Sequence, residues 1–234
     1  MNVLAVGAHP DDLEILCGGT LAKYVNRGDH VTMAVATNGE VGSATLPKNE
    51  IAAIRYGEAA ASAKVIGAEL LWMDYPDQFL FSTAQTRLAF LNTVRGVNPD
   101  VILAHAPTDY HPDHRTAGQI LWDIRVMTTV PNIETANPPC SKIPEILYME
   151  TIAGIDFTPE YYVDISDVFG KKQEMLACHR SQAAWLENQY GMSFLEFIDY
   201  IGRYRGLQSG VRYAECFRSS PTWPKRRPNK SLLP

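Results

Sequence analysis

The apolar positions of the chain fall into short continuous runs, separated by longer segments in which apolar and polar residues have a helical spacing. Four runs, rich in Val, Ile and Leu, cover residues 2–8, 30–37, 68–73 and 99–104. Helical patterns lie between them at 15–27, 49–66 and 83–96. Continuous runs such as DVILAHA are typical of strands that are buried on both faces. The alternation predicts an α/β fold, a Rossmann-like parallel sheet flanked by helices on both faces.

The second half of the chain has a different order of elements. A helix is expected at 114–127, and an irregular excursion with four prolines and two asparagines follows at 131–145. Strands are then expected in EILYMET and YYVDIS, helices at 166–187 and 192–206, and a last strand at 211–217. We expect one domain, composed of a Rossmann-like core (1–130), a small C-terminal α+β extension that completes it (131–217) and a basic, proline-rich tail (218–234).

The composition argues against several classes of protein. The chain has 46% hydrophobic and 20% charged residues, as soluble globular proteins do, and its net charge of −5 gives no support to nucleic-acid binding. No apolar run approaches the roughly 20 residues of a membrane span. No basic segment precedes the first strand, so a secretory signal is not expected. The four cysteines are isolated, without C-x-x-C spacing, which predicts reduced thiols in a cytoplasmic protein rather than a thiolate metal site.

Two clusters of His and Asp follow the ends of predicted strands. AHPDDLE (residues 8–14) comes directly after the first strand, and DYHPDHR (residues 109–115) comes after the fourth. Carboxylates crowded at the tip of a buried strand are costly without a partner, and a bound cation would supply one. In doubly wound sheets the strand order reverses beside strand 1, and strand 4 lies on its other side. Both clusters should therefore share the crevice at the carboxyl ends of these strands.

The residue types in these clusters fit a catalytic transition-metal site. Imidazole and carboxylate suit zinc, and three protein ligands with one open position mark a catalytic centre. The residues alone predict His9, one Asp of the first cluster and one His of the second as ligands. The other Asp could accept a proton from water, and the other His could give one to a leaving group. A nucleotide site is disfavoured, because GAHPDD lacks G-x-G-x-x-G and puts acid where a pyrophosphate would lie.

AHPDDLE followed by HPDH resembles the PIG-L/LmbE family of zinc-dependent de-N-acetylases. TNGEVGS, IRYGEAAASAKVIGAE, YPD, HRSQ and VRYAECF extend the resemblance over most of residues 3–217, leaving out 132–143 and the tail. The family usually has Glu directly after the two aspartates, whereas here Leu13 precedes Glu14. The resemblance implies one Zn²⁺ per chain, although other divalent transition metals suit the same ligands. It also implies a homo-oligomer, either a trimer or a hexamer.

The resemblance assigns a role to each residue of the two clusters. His9, Asp12 and His114 would be the metal ligands. Asp11 would be the general base, and His111 would act as an acid or stabilise the tetrahedral oxyanion. Asp113 would orient His111 through a hydrogen bond.

Two further residues match family positions that reach the substrate sugar. Arg55, in IRYGEA, would bind the sugar, although with Glu58 it could instead form a surface pair. Asp77, in YPD, would accept from a sugar hydroxyl, although it could instead be a turn residue. His105 is expected to be a hydrogen-bonded core histidine. His179, in HRSQ, is expected to pack or to form an interface.

The site residues predict a metal-dependent hydrolase, and the resemblance implies that it removes the N-acetyl group from an N-acetylglucosamine-type derivative. The partner is then a small acetylated amino sugar. A related amidase that cleaves a bulkier amide is the enzyme alternative. A metal- or nucleotide-binding module without catalysis is the alternative from another class.

Overall fold

One central sheet organises the computed structural model, which describes residues 1–223 and 233–234, so that most of the predicted tail lies outside the described residues. Its strands are β1 (Asn2–Gly7), β2 (His30–Thr37), β3 (Glu69–Tyr75), β4 (Val101–Ala104), β5 (Glu145–Met149), β6 (Tyr161–Asp164) and β7 (Ala214–Ser219). The strand order is β3-β2-β1-β4-β5-β7-β6. β1 to β5 run parallel, and β7 runs antiparallel to both β5 and β6. The predicted reversal beside β1, with β4 on its other side, is confirmed.

The helices cover both faces of this sheet. They are α1 (Asp12–Asn26), α2 (Lys48–Ile66), α3 (Ala84–Val97), α4 (Pro112–Ile124), α5 (Phe169–Leu176), α6 (Arg180–Tyr190) and α7 (Phe194–Ser209). Along β1, Val3 and Ala5 pack with α1, α5 and α7, whereas Leu4 and Val6 pack with α3 and α4. Alternate residues of a strand point to opposite faces, so a continuous apolar run feeds two cores. Among the described helices, none has the length and apolar character needed to cross a membrane.

The helices α1 and α4 begin at the carboxyl ends of the neighbouring strands β1 and β4. α4 has Pro112 as its first residue, where a missing N–H costs nothing and the fixed φ favours a helical start. Gly118 in α4 lies against the end of β4, and a Cβ there would overlap the carbonyl oxygen of His105. Only glycine permits this close approach. It brings the first turn of α4, and with it the second His/Asp cluster, beside the first cluster.

The C-terminal part differs from the predicted pattern in one respect. The single helix expected at 166–187 is two helices, α5 and α6, separated by a turn that ends at His179. His179 has ψ 58°, outside the helical region, and its ring is directed towards Glu14 of α1. The contact with the buried Glu14 thus coincides with an interruption of the helix that the sequence pattern of residues 166–187 predicts. The predicted C-terminal α+β part takes the form of β6 and β7, which extend the same sheet beyond β5.

Candidate metal centre and active site

Three side chains from the two clusters meet in the crevice between β1 and β4. His9 Nδ1 lies 3.2 Å from His114 Nε2. Asp12 Oδ1 lies 3.3 Å from His114 Nε2, and its Oδ2 lies 3.5 Å from His9 Nδ1. All three residues are buried. The predicted ligands of the first cluster are therefore brought together with His114, which lies 105 residues after His9 in sequence.

The spacing of these donor atoms fits a single divalent ion of the size of zinc. Zinc binds imidazole nitrogen and carboxylate oxygen at about 2.0–2.2 Å, so neighbouring ligands of a tetrahedral site lie about 3.3–3.5 Å apart. Two imidazole nitrogens that face each other at 3.2 Å, with a carboxylate beside them, can each direct a lone pair to one such ion. Among the described residues, three overlapping groups of side chains have a spacing that could hold a metal ion. They are His9, His111 and His114; Asp12, His105 and His114; and His9, Asp77 and Asp113. Each group contains His9 or His114.

The two histidines of this centre each direct their second nitrogen to a carboxylate. His114 Nδ1 lies 3.2 Å from Asp109 Oδ2. His9 Nε2 lies 3.2 Å from Asp113 Oδ2 and also 3.2 Å from Asp77 Oδ1. Histidines that bind a metal usually have such a partner, because it fixes the ring orientation and the tautomer. The surroundings of His9 and His114 therefore match those of metal ligands.

Asp113 does not have the partner that the sequence predicted. Its carboxylate contacts His9 and accepts the backbone N–H groups of Gln78 at 2.8 Å and Leu80 at 3.3 Å. Only its backbone N–H reaches His111, donating to Nδ1 at 3.3 Å. The expected bond from this carboxylate to His111 is thus replaced by contacts with His9 and the loop after β3. The free N–H groups of that loop satisfy a buried carboxylate that would otherwise lack partners.

His111 caps α4 and is half-buried at the edge of the centre. Because Nδ1 accepts the N–H of Asp113, the proton of a neutral ring sits on Nε2. Burial, together with the charges of His9 and His114, lowers the pKa of His111 to about 4. The ring is therefore neutral near pH 7 and offers a donor rather than a positive charge.

Asp11 is buried and strained. Its backbone has φ 118°, a region that residues other than glycine rarely adopt, and such strain concentrates at functional sites. As the N-cap residue of α1 it makes no side-chain capping bond, which argues against a purely capping role. Arg55 Nη2 donates to Asp11 Oδ2 at 3.2 Å. Burial raises the pKa of Asp11 to about 6, although the Arg55 charge acts in the opposite direction.

Arg55 and Asp77 both lie at the centre and are buried. Arg55 donates to the carbonyl oxygens of Pro10 at 2.6 Å and Gly39 at 3.3 Å, besides its contact with Asp11. A surface pair with Glu58 is not formed, since only 4% of Arg55 is exposed. Asp77 contacts His9 through Oδ1, and His9 together with the nearby backbone of Val41 lowers the pKa of its carboxyl.

Two residues contribute more to the centre than the sequence indicated. Asp109 is the first residue of the second cluster and lies five residues before His114. Its position within this predicted metal-binding motif is the sequence feature that could have identified it. His105 is buried and hydrogen-bonded as predicted, since the Ala8 N–H donates to its Nε2 at 3.0 Å. The same nitrogen lies 3.1 Å from Asp12 Oδ2, and the ring stacks on His114 with centroids 4.0 Å apart. His105 thus supports two of the predicted ligands.

The comparisons with known proteins agree with this site. The family model described as PIG-L, GlcNAc-PI de-N-acetylase, matches residues 4–125. A diacetylchitobiose deacetylase of Thermococcus kodakarensis is 30% identical over 228 residues, covering 94% of this chain and 83% of the relative. A solved structure, the N,N'-diacetylchitobiose deacetylase from Pyrococcus horikoshii with its inhibitor, has a TM-score of 0.83 at 30% identity, covering 94% of this chain and 83% of that chain. A 4-oxalmesaconate hydratase of Pseudomonas putida is 24% identical, covering 89% of this chain and 81% of the relative.

The family match contains both His/Asp clusters, and the alignment with the Thermococcus enzyme runs through nearly the whole sheet. A buried His–Asp–His centre at the reversal point of the sheet accounts for why these two clusters occur together. The chain therefore belongs to the PIG-L family of GlcNAc-PI de-N-acetylases.

Proposed function

We propose that the chain is a metal-dependent N-deacetylase acting on an N-acetylglucosamine-type derivative, with one Zn²⁺ held by His9, Asp12 and His114. The observation that carries the proposal is that His9 Nδ1, His114 Nε2 and the two carboxylate oxygens of Asp12 approach one another at 3.2–3.5 Å, in a buried place next to Asp11 in the chain. The deacetylase relatives, at 30% identity over most of both chains, support the reaction class. When bound, the cation would supply Lewis-acid polarisation of the amide carbonyl and lower the pKa of a coordinated water.

Asp11 is the residue we assign as general base. A carboxylate with a pKa of about 6 is ionised near pH 7 and can take a proton from the attacking water. The protonated carboxyl can then return that proton to the departing amine, because its pKa lies close to the working pH. Arg55, which donates to the same carboxylate, holds it in one orientation.

His111 is the residue we assign to the oxyanion. Its neutral ring has Nε2–H as donor, and a donor aimed at the oxygen that gains charge stabilises the tetrahedral intermediate. The low pKa of His111 supports this choice between the two roles left open by the sequence. Burial of the His111 ring disfavours a charged imidazolium acid at this position.

Arg55 and Asp77 are the residues we assign to the sugar. Asp77 uses Oδ1 for His9, and we assign its other oxygen to a sugar hydroxyl. Arg55 carries five N–H donors, of which the carbonyl oxygens of Pro10 and Gly39 and the Asp11 carboxylate engage only part. The trimer or hexamer and the cytoplasmic location stay predictions from the sequence, and light scattering of the purified protein checks the first.

A direct test combines metal analysis with an assay for amine release. Purified protein should contain about one transition-metal ion per chain and should release free amine and acetate from N,N'-diacetylchitobiose or N-acetylglucosamine. A chelator should abolish release, and added Zn²⁺ should restore it. The hydratase relative makes hydration the competing reaction, and a hydratase would release no amine from either sugar. Metal-loaded protein without amine release would overturn the proposal.

A further inference from the structure

His179 and the first turn of α6, residues 180–182, connect the C-terminal half of the chain to three separate parts of the core. His179 Nε2 lies 3.1 Å from Glu14 Oε1 in α1. Ser181 donates to the Glu58 carboxylate in α2, through its backbone N–H at 2.8 Å and its hydroxyl at 2.6 Å. Gln182 Nε2 donates to the carbonyl oxygen of Gly42 at 3.0 Å. His179, Ser181 and Gln182 thus each contact a different part of the core.

The segment that Gln182 contacts, the 39–42 loop, lies against both residues assigned to the sugar. The Gly39 carbonyl accepts from Arg55 Nη1 at 3.3 Å, and the Val41 backbone lies near enough to the Asp77 carboxylate to lower the pKa of that carboxyl. The Gly42 N–H closes the loop on the Gly39 carbonyl at 3.1 Å. A Cβ on Gly42 would lie 2.7 Å from Arg55 Nη1 and 2.9 Å from Gln182 Oε1, so the loop backbone is packed directly between these two side chains.

Gln182 is well placed to hold this loop. It is 2% exposed, and both hydrogens of its amide have acceptors, because Nε2 also lies 3.2 Å from Ser181 Oγ. The two hydrogen bonds of Ser181 to α2, together with the close approach of His179 to Glu14 of α1, position the start of α6, from which Gln182 reaches the loop. Without the hydrogen bond from Gln182, a loop that contains two glycines has many alternative conformations.

We propose that Gln182 is a positioning residue for sugar recognition, which holds the 39–42 loop so that Arg55 and Asp77 keep their binding geometry. The inference rests on the proposed function. Misplacing recognition groups by about 1 Å can cost roughly 100-fold in rate, so a single bond to the loop can matter for the sugar. Gln182 does not contact His9, Asp12 or His114 in the described contacts, so metal binding does not depend on it.

The test uses Gln182→Met, which keeps the side-chain volume and removes the donor. We expect kcat/KM on N,N'-diacetylchitobiose to fall roughly 10 to 100-fold, mainly through KM. Metal content and activity on an acyclic N-alkylacetamide should stay within about twofold of the wild type. The control is Thr20→Val, which removes one buried hydrogen bond between α1 and the C-terminal part, the 2.6 Å bond from Thr20 Oγ1 to Glu215. It should lower the thermal midpoint without changing the preference for the sugar.

Amide hydrogen exchange tests the role of Gln182 independently of the proposed function. The amides of Val41 and Gly42 should exchange roughly tenfold faster in Gln182→Met than in the wild type or in Thr20→Val. If the wild type releases no amine from any acetylated sugar, the proposed function fails, and the exchange rates still decide whether Gln182 holds the loop. Unchanged exchange overturns the inference, as does an equal loss of activity on both substrates or the same change of preference in Thr20→Val.

Discussion

Asp109 Oδ2 lies 3.2 Å from Nδ1 of His114, on the opposite side of the ring from the nitrogen that faces His9 and Asp12. Asp109 is 1% exposed, and its other oxygen accepts the backbone N–H of His111 at 2.9 Å. A carboxylate in this position fixes the tautomer of the ring and increases the basicity of the nitrogen that would bind a cation. Asp109 can therefore influence metal affinity without contacting the metal.

The first prediction concerns this pair. Asp109→Asn should weaken metal binding roughly 10 to 100-fold, because the amide cannot stabilise a polarised imidazole as a carboxylate does. His114→Ala should remove most of the metal. Competition with a chelator of known affinity measures both. The control is His30→Ala, since His30 is an exposed histidine that pairs only with Glu69 in the described contacts. Full metal loading of His114→Ala would show that the ligand set is wrong.

The second prediction concerns the general base. Asp11→Asn keeps the size of the side chain and an acceptor for Arg55, but the amide cannot accept a proton from water. We expect kcat to fall roughly 10² to 10⁴-fold. Elemental analysis should find the metal content unchanged. Asp167→Asn, at an exposed carboxylate paired with Lys23, should behave as the wild type. Joint loss of metal and activity in Asp11→Asn would instead make Asp11 a ligand.

The third prediction concerns Arg55, which contacts both Asp11 and the 39–42 loop. Arg55→Ala should lower kcat/KM on an N-acetylglucosaminide by roughly 10 to 100-fold, because a charge-assisted bond to the sugar contributes about 1.5–3 kcal/mol. Activity on an acyclic acetamide should fall less, since only the support of Asp11 is lost there. Parallel kinetics on the two substrates measure the difference. An equal fall on both would assign Arg55 to Asp11 alone.

The fourth prediction concerns the stability contributed by His179 and its pH dependence. Burial lowers the pKa of His179, but the carboxylate of Glu14 outweighs burial, and the net pKa lies above the usual 6.5. Folding therefore favours the charged ring. This stabilisation is fully present below pH 6.5 and is lost as the pH rises through the raised pKa of the folded state. His179→Gln should lower the free energy of unfolding at pH 6 by about 3 kcal/mol, with a smaller difference at higher pH.

Denaturant unfolding at a series of pH values between about 5 and about 9 measures that difference. The matched control is His30→Gln. His30 also faces a glutamate, at 3.3 Å, but both side chains are more than half exposed. Its substitution should change the free energy of unfolding by less than about 1 kcal/mol. An equal effect of the two substitutions would mean that burial of the His179–Glu14 pair adds nothing to the free energy of unfolding.

Local pattern and general rules of sheet topology were enough to predict the frame of the site. The apolar runs that became β1 and β4 end where AHPDDLE and DYHPDHR begin, and parallel sheets bring the ends of neighbouring strands to one edge. Residue type then pointed to the chemistry, because imidazole and carboxylate side chains serve few purposes other than metal binding in such a place. The ligand candidates were therefore accessible without coordinates.

The pairing of acids with bases was decided only by the tertiary structure. The family resemblance paired the Asp113 carboxylate with His111, yet this carboxylate contacts His9, because α4 turns that side chain towards the loop after β3. The helical pattern of residues 166–187 likewise gave no sign that His179 leaves the helix to meet Glu14. Such pairs join residues that lie about 100 or more positions apart in sequence. A buried charged group needs a partner, and its partner is the group that the packed helices and strands bring within about 3 Å. Periodicity and propensity describe each segment by itself, and they contain no information about these distances.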